Sequence, residues 1–319
     1  MVTLRARMSA PGSASTSHRD PLLAHAALLG VSLSFGVNYV VAKWALREIS
    51  PVAMVVIRQW GTVAILGTVL LFHRRSDAPK LQPREFGELL VYSLLGIGLN
   101  MWCFLEGLSR SSATNAAIML VSIPVLTLAF AIMLGRERAT ARGIAGIATG
   151  LAGALILILP RGGLALSAEA FTGNVFLFAG AASYSLYLVL SKSILARHDA
   201  LVVVTWLFTL GGIVTLPFGV SSVYELTQTG LSPGGWASII YIVIGATAVP
   251  YLLNTWALAR VQSSIVAVYI LVQPIVAAIM GRMFLGETLA PHAALAGALI
   301  VGGVLAAVWR TKRPTPVES

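Results

Sequence analysis

The sequence predicts an all-α membrane protein whose ten transmembrane helices form two inverted five-helix repeats. Three observations lead there. Hydrophobic residues make up 57% of the 319 residues and charged residues 11%, against roughly 25% charged in a soluble domain, and the mean hydropathy is +0.85. Sliding the chain by 150 positions lays Leu108-Ser109-Arg110 on Leu258-Ala259-Arg260, Pro124 on Pro274 and Glu137 on Glu287 without a gap; self-similarity at a fixed offset signals a repeated architecture. Finally, matching loops of the two halves differ sharply in positive charge.

The elements follow in order. Residues 1–20 hold arginines, serines and prolines with no continuous apolar core, which reads as a disordered cytoplasmic tail rather than a cleaved signal peptide. Apolar runs at 21–46, 51–72, 86–108, 113–134 and 141–159 make the first repeat, 21–160. Ser50-Pro51 supplies an N-cap with proline at the first helical position of the second run. A linker, 161–170, leads to runs at 171–195, 201–220, 236–258, 263–285 and 289–309, the second repeat, and 310–319 is a second tail. Runs of about 20 residues cross a ~30 Å hydrocarbon layer at 1.5 Å per residue.

An odd number of crossings per repeat turns the second half upside down, so matching loops face opposite sides. The loop after the second run carries Arg74, Arg75, Lys80 and Arg84, whereas its counterpart at 221–235 has no Lys or Arg. Arg136, Arg138 and Arg142 follow the fourth run, while 286–292 has none. Positive loops stay cytoplasmic, which places both termini, with Arg310, Lys312 and Arg313, in the cytoplasm of a multi-pass protein of the cell inner (plasma) membrane. The same topology accounts for the net charge of +10, so no nucleic-acid partner is implied. The bilayer and a small-molecule substrate are the expected partners, for a monomer or homodimer.

Polar and prolyl residues inside spans are costly and therefore informative. Pro124, Pro250 and Pro274 each remove a backbone hydrogen bond at mid-span; the repeat-related Pro124 and Pro274 are packing kinks or hinges. A polar-aromatic set lies at similar depth: Asn38, Tyr39, Asn100, Trp102, Tyr184, Tyr187, Tyr251, Asn254, Tyr269 and Gln273. Singly these read as helix-helix bonds or interfacial anchors, and together they suit a cavity for an organic solute. Lys43 and Lys192 match at an offset of 149 near span ends, where lysines snorkel. Arg58 sits deeper, as a structural ion pair or a substrate-carboxylate contact. Glu106, a gate or ion-pair candidate with Lys43, has Lys43 or Arg58 as its expected partner. Small residues at Gly146, Gly150, Gly153, Gly297, Gly302 and Gly303 mark helix packing faces. The single cysteine, Cys103, fills an apolar run.

The runs Phe35-Gly36-Val37-Asn38-Tyr39 to Lys43, Pro51 followed by Arg58, and Leu105 through Ser109-Arg110-Ser111-Ser112-Ala113-Thr114-Asn115-Ala116-Ala117 to Pro124 and Glu137 resemble the EamA branch of the drug/metabolite transporter superfamily. The resemblance spans both halves, about 22–309. It implies a ten-helix basket of two inverted EamA repeats around a cavity lined by spans one, three, four, six, eight and nine. Phe35 replaces the family's Trp before Gly36, and Arg136 replaces its Gly before Glu137.

Enzymatic chemistry finds little footing. There is no HExxH and no Gly-x-Ser-x-Gly elbow, and no cofactor or metal is expected. Without a Walker A motif the energy source is not ATP directly. The expectation is a secondary transporter, an exporter of small polar or amphipathic metabolites such as amino acids working by alternating access; the alternatives are a multidrug or other solute permease of the same fold, or a membrane receptor or scaffold.

Overall fold

The computed structural model describes residues 19–72, 81–136, 138, 140–158, 168–195, 197–258, 269–270, 272–288 and 290–308. Several sequence features fall outside them: the tail 1–18, Arg74, Arg75, Lys80, Glu137, 159–167, the start of the ninth run at 263–268, and the basic tail from Arg310.

Among the described residues the regular elements are all helical. They are α1 (Arg19–Ala45), α2 (Pro51–Phe72), α3 (Pro83–Ser93), α4 (Asn100–Arg110), α5 (Ala113–Leu120), α6 (Ile123–Met133), α7 (Ala141–Ile158), α8 (Ala168–Leu195), α9 (Ala200–Thr229), α10 (Pro233–Ile240), α11 (Val249–Leu258), α12 (Val272–Leu285) and α13 (Pro291–Val308). Two π-helical segments, Leu94–Leu99 and Tyr241–Ala248, join α3 to α4 and α10 to α11 into continuous rods. Among the described residues seven stretches are long and apolar enough to cross a membrane: Leu22–Ala45, Pro51–Phe72, Pro83–Arg110, Ala113–Met133, Ala168–Leu195, Ala200–Thr229 and Pro233–Ala257. Ala141–Ile156, Val272–Leu285 and Pro291–Gly303 are shorter apolar helices.

Local chemistry sets the helix starts. Ser50 Oγ accepts the Ala53 N–H at 3.3 Å, the cap expected ahead of Pro51. Ser112 caps α5 through the Asn115 N–H at 3.0 Å, Asp199 caps α9 through Leu201 at 2.9 Å, and Ser232 caps α10 through Gly235 at 3.0 Å. These side chains satisfy amides that the first helical turn leaves without partners. At the other end of the helix, Gly135 and Gly286 take φ of +67° and +66° just beyond α6 and α12, a left-handed conformation that a Cβ disfavours. Pro124 stands at the second residue of α6, and α5 stops at Leu120, four residues before it; a proline offers no N–H to that carbonyl.

The packing partners come in mirrored pairs. Helix α1 packs on α11 and α12, and α8, its counterpart, packs on α4 and α6. Helix α2 packs on α9, and α7 on α13. In the last pair a Cβ on Gly303 would stand 2.6 Å from the Gly146 carbonyl, so the expected small-residue face joins two helices of one chain at backbone-to-backbone distance.

Both π-helical segments were unforeseen in the sequence. A π turn leaves carbonyls without their usual partners, and here a serine from the opposite half reaches each segment. Ser34 Oγ donates to the Gly245 carbonyl, and Ser183 Oγ donates to the Leu95 carbonyl at 2.7 Å. These two bonds are related by offsets of 149 and 150, the same as in the sequence repeat.

Candidate functional site

The expected site residues fall into separate groups. Tyr184 and Tyr187 meet at a tilt of 37° with 5.5 Å between ring centroids, and Tyr251 lies within electrostatic reach of both and of Arg58. Gly96 positions Tyr187: a Cβ there would stand 2.5 Å from the ring, so the glycine of the π segment is the floor on which the phenol ring rests. Phe35 and Phe208 meet Tyr251 edge-on at 6.2 and 5.2 Å. Arg58 is buried, its Nε donating to Thr247 Oγ1 at 2.5 Å and Nη2 to the Ala246 carbonyl at 3.0 Å.

A second group bridges α1 and α12. Tyr39 donates its hydroxyl to Gln273 Oε1 at 3.1 Å and meets Phe104 edge-on at 5.5 Å. Beside Tyr39 in sequence, Asn38 is buried, and its Oδ1 has no hydrogen-bond partner among the described residues.

The remaining expected residues lie elsewhere. Asn100 spends its amide on the Gly180 carbonyl at 2.9 Å, a helix-helix bond. Trp102 is exposed and packs edge-on against Phe176 at 5.4 Å. Tyr269 pairs with His25 Nδ1 at 3.0 Å and packs on a small cluster with Ala24, Leu28 and Trp256. Asn254 is half-buried on α11. Pro124 is buried and Pro274 half-buried.

Glu106 forms an ion pair with Arg110, one helical turn away, and Arg110 stands 5.6 Å over the Phe176 ring. Arg110 is thus its partner instead of the expected Lys43 or Arg58. Lys43 Nζ instead donates to backbone carbonyls at the end of α4: Leu108 at 2.8 Å, Ser109 at 3.2 Å and Ser111. A cation there meets the negative end of the helix dipole.

Two residues of this region were not singled out as functional in the sequence. Glu287 served only as a landmark of the repeat, yet its carboxylate accepts from Ala113 N at 2.8 Å, Thr114 N at 3.1 Å and Thr114 Oγ1 at 2.9 Å. The link between α4 and α5 is therefore held by a lysine on one side and a glutamate of the other half on the other. Thr247 carries no sequence signal; only its place in the π segment brings it to Arg58.

Comparison with known proteins bears on the whole chain. The sequence pattern of the EamA-like transporter family matches residues 22–159 and again 171–309. An uncharacterized transporter of Archaeoglobus fulgidus is 26% identical over 281 residues, covering 88% of this chain and 95% of its own. The uncharacterized transporter YetK of Bacillus subtilis is 22% identical over 292 residues, covering 91% and 88%, and the protein WALLS ARE THIN 1 of Arabidopsis thaliana is 25% identical over 319, covering 89% and 82%. One solved crystal structure shares the fold at a TM-score of 0.61 and 18% identity, with 92% of this chain and 97% of its own covered. The chain carries two copies of that pattern, one in each half, and belongs to the EamA-like transporter family of membrane transporters.

Proposed function

We propose that the protein is a ten-span carrier that exports small polar or amphipathic metabolites, amino acids or related compounds, by alternating access. Its repeats are 21–160 and 171–309, joined by 161–170, in the inner (plasma) membrane with both termini cytoplasmic. The observation that carries this reading is the mirrored packing of the two halves, in which α1 packs on α11 and α12 while α8 packs on α4 and α6. Two near-equivalent halves can exchange conformations, so that the site opens first to one side and then to the other.

In this reading Arg58, Tyr184, Tyr187 and Tyr251 line the substrate site. Asn38 adds an acceptor without a partner among the described residues, and Tyr39 with Gln273 closes the wall between α1 and α12. Asn100, Trp102, Asn254 and Tyr269 hold surrounding helices. Lys43, Glu106 and Glu287 brace one mouth, with Pro124 and Pro274 as hinges. The purified protein in liposomes loaded with a mixture of amino acids and amphipathic amines should release some of them faster than protein-free liposomes. Equal release of every solute would count against a carrier.

A further inference from the structure

Arg58 is 4% exposed and lies seven residues beyond Pro51 on α2 (58 − 51 = 7), about 10 Å down the helix at 1.5 Å per residue. Among the described residues no carboxylate reaches it. Its partners are neutral: the Thr247 hydroxyl and the Ala246 carbonyl. They take one donor of Nε and one of Nη2 from a group that has five. Nη1 has no protein partner among the described residues, yet it is not among the occluded unpartnered atoms. Nη1 is therefore the part of the guanidinium that keeps some access to space outside the protein's own contacts.

The repeat indicates whether the fold itself needs this charge. A Cβ on Gly61 of α2 would meet Val243, and a Cβ on Gly211 of α9 would meet Ser93 and Ile97. Both contacts obey the offset of 150 (61 + 150 = 211; 93 + 150 = 243). In that register Phe208 stands where Arg58 does, and Ile97 where Thr247 does. Phe208 and Ile97 are buried at 0% and 1% exposure, so in the other half the two positions that correspond to Arg58 and Thr247 are filled by apolar side chains. A span cation is expensive in a membrane, and such charges face a partner or a pathway. This one breaks the symmetry within electrostatic reach of Tyr251.

We infer that Arg58 is the carboxylate-recognition group of the substrate site, and that the carried solute is an organic acid or zwitterion whose carboxylate lies against Nη1. Thr247 and Ala246 are positioning groups that hold Nε and Nη2 and so fix the guanidinium plane, leaving Nη1 free for a carboxylate oxygen. The inference rests on reading the phenol-lined region as the substrate site.

The test uses purified full-length protein and paired probes that differ only in charge: L-leucine with L-leucinamide, L-phenylalanine with L-phenylalaninamide, and 3-phenylpropanoate with 3-phenylpropanamide. Binding is read by thermal stabilisation at graded ligand concentration. Wild type should hold the acids about 30-fold more tightly than the amides, the scale of a hydrogen bond to a charged group. Arg58→Gln should bring each acid down to its amide, and Thr247→Val should keep the preference for acid while reducing it. Acids and amides binding alike to wild type, acids failing to bind at all, or an acid preference that survives Arg58→Gln would overturn the assignment. The wild-type comparison decides even where Arg58→Gln does not fold. Acid binding without flux in liposomes would sink the carrier reading alone, and flux of neutral solutes without acid preference would sink this one alone.

Discussion

Glu287 accepts the Ala113 backbone N–H at 2.8 Å, so a carboxylate that follows α12 in the second half caps the first turn of α5 in the first. Three donors converge on this carboxylate, and the positive end of the helix dipole adds to them. Glu287→Ala should lower stability in detergent by about 1–2 kcal/mol, within the range of a lost N-cap. Ser112→Ala removes a second cap of the same helix and should act in the same direction. Thermal unfolding followed by intrinsic fluorescence measures both, and an unchanged Tm in Glu287→Ala would rule out the capping role.

The contacts at the two ends of the bundle are chemically distinct. At one end Glu48 accepts from Ser232 N at 3.0 Å and from Ser232 Oγ at 2.7 Å, joining the α1–α2 and α9–α10 links. At the other, Glu85 meets Arg197 and His198, each at 2.9 Å. In the proposed topology the first end faces outside the cell. Single cysteines at Thr288 and Thr140 in a Cys103→Ala background should therefore label oppositely with an impermeant maleimide in intact cells, Thr288 reacting and Thr140 protected. Equal labelling would end the inverted-repeat topology.

Glu48 gives this link a pH dependence with a definite sign. The Ser232 hydroxyl, followed by the Ser232 amide, holds its carboxyl below the ordinary value of 4.5. A depressed carboxylate contributes stability in full above its unfolded-state pKa and loses it as pH falls through the folded-state value. The contribution should be intact at pH 7 and decline only below about 4.5. Ser232→Ala should flatten that part of the Tm-versus-pH curve. Parallel curves for wild type and variant down to pH 3.5 would show that the bond adds nothing.

Much of this architecture was legible because it rests on periodicity and punctuation. The offset of 150 reappears in the paired packing of the halves, the Ser50-Pro51 start appears as a cap, and the apolar runs appear as helices where they fall within the described residues, since hydrophobic length and capping chemistry act locally. Partner choice was less accessible. In the sequence, charge alone offers Glu106 Lys43 or Arg58 as partner, whereas in the fold it pairs with Arg110, one turn away, and Lys43 turns to the carbonyls at the end of α4. The π segments were hidden for a related reason: a π turn answers to close packing across helices, and neither Leu94–Leu99 nor Tyr241–Ala248 departs from an ordinary apolar run. Thr247 became visible as a partner of Arg58 only once its π segment was seen.

Pro124 and Pro274 sit at the starts of α6 and α12, in helices that the repeat relates. If both are hinges, replacing either with alanine favours one access state over the other. A bias of 1.4 kcal/mol would reduce flux per molecule by ~10-fold with abundance largely intact. Quantitative immunoblotting alongside liposome flux separates the outcomes, and a loss that follows protein abundance would mark both as packing kinks.

Coupling to protons requires a titratable group that both access states reach. Glu106 is committed to Arg110, which also donates to the Glu106 carbonyl at 2.9 Å, and Arg110 is further held over Phe176. Removing the proton-accepting carboxylate should thus disturb a brace at the end of α4 rather than a proton path. Reconstituted protein should move substrate down its gradient with no pH difference across the membrane. Glu106→Gln should slow that movement several-fold, in line with a weakened i,i+4 ion pair and its associated contacts, while the dependence of rate on pH stays that of wild type. Uphill accumulation driven by an imposed proton gradient, and lost in Glu106→Gln, would instead make Glu106 the coupling residue.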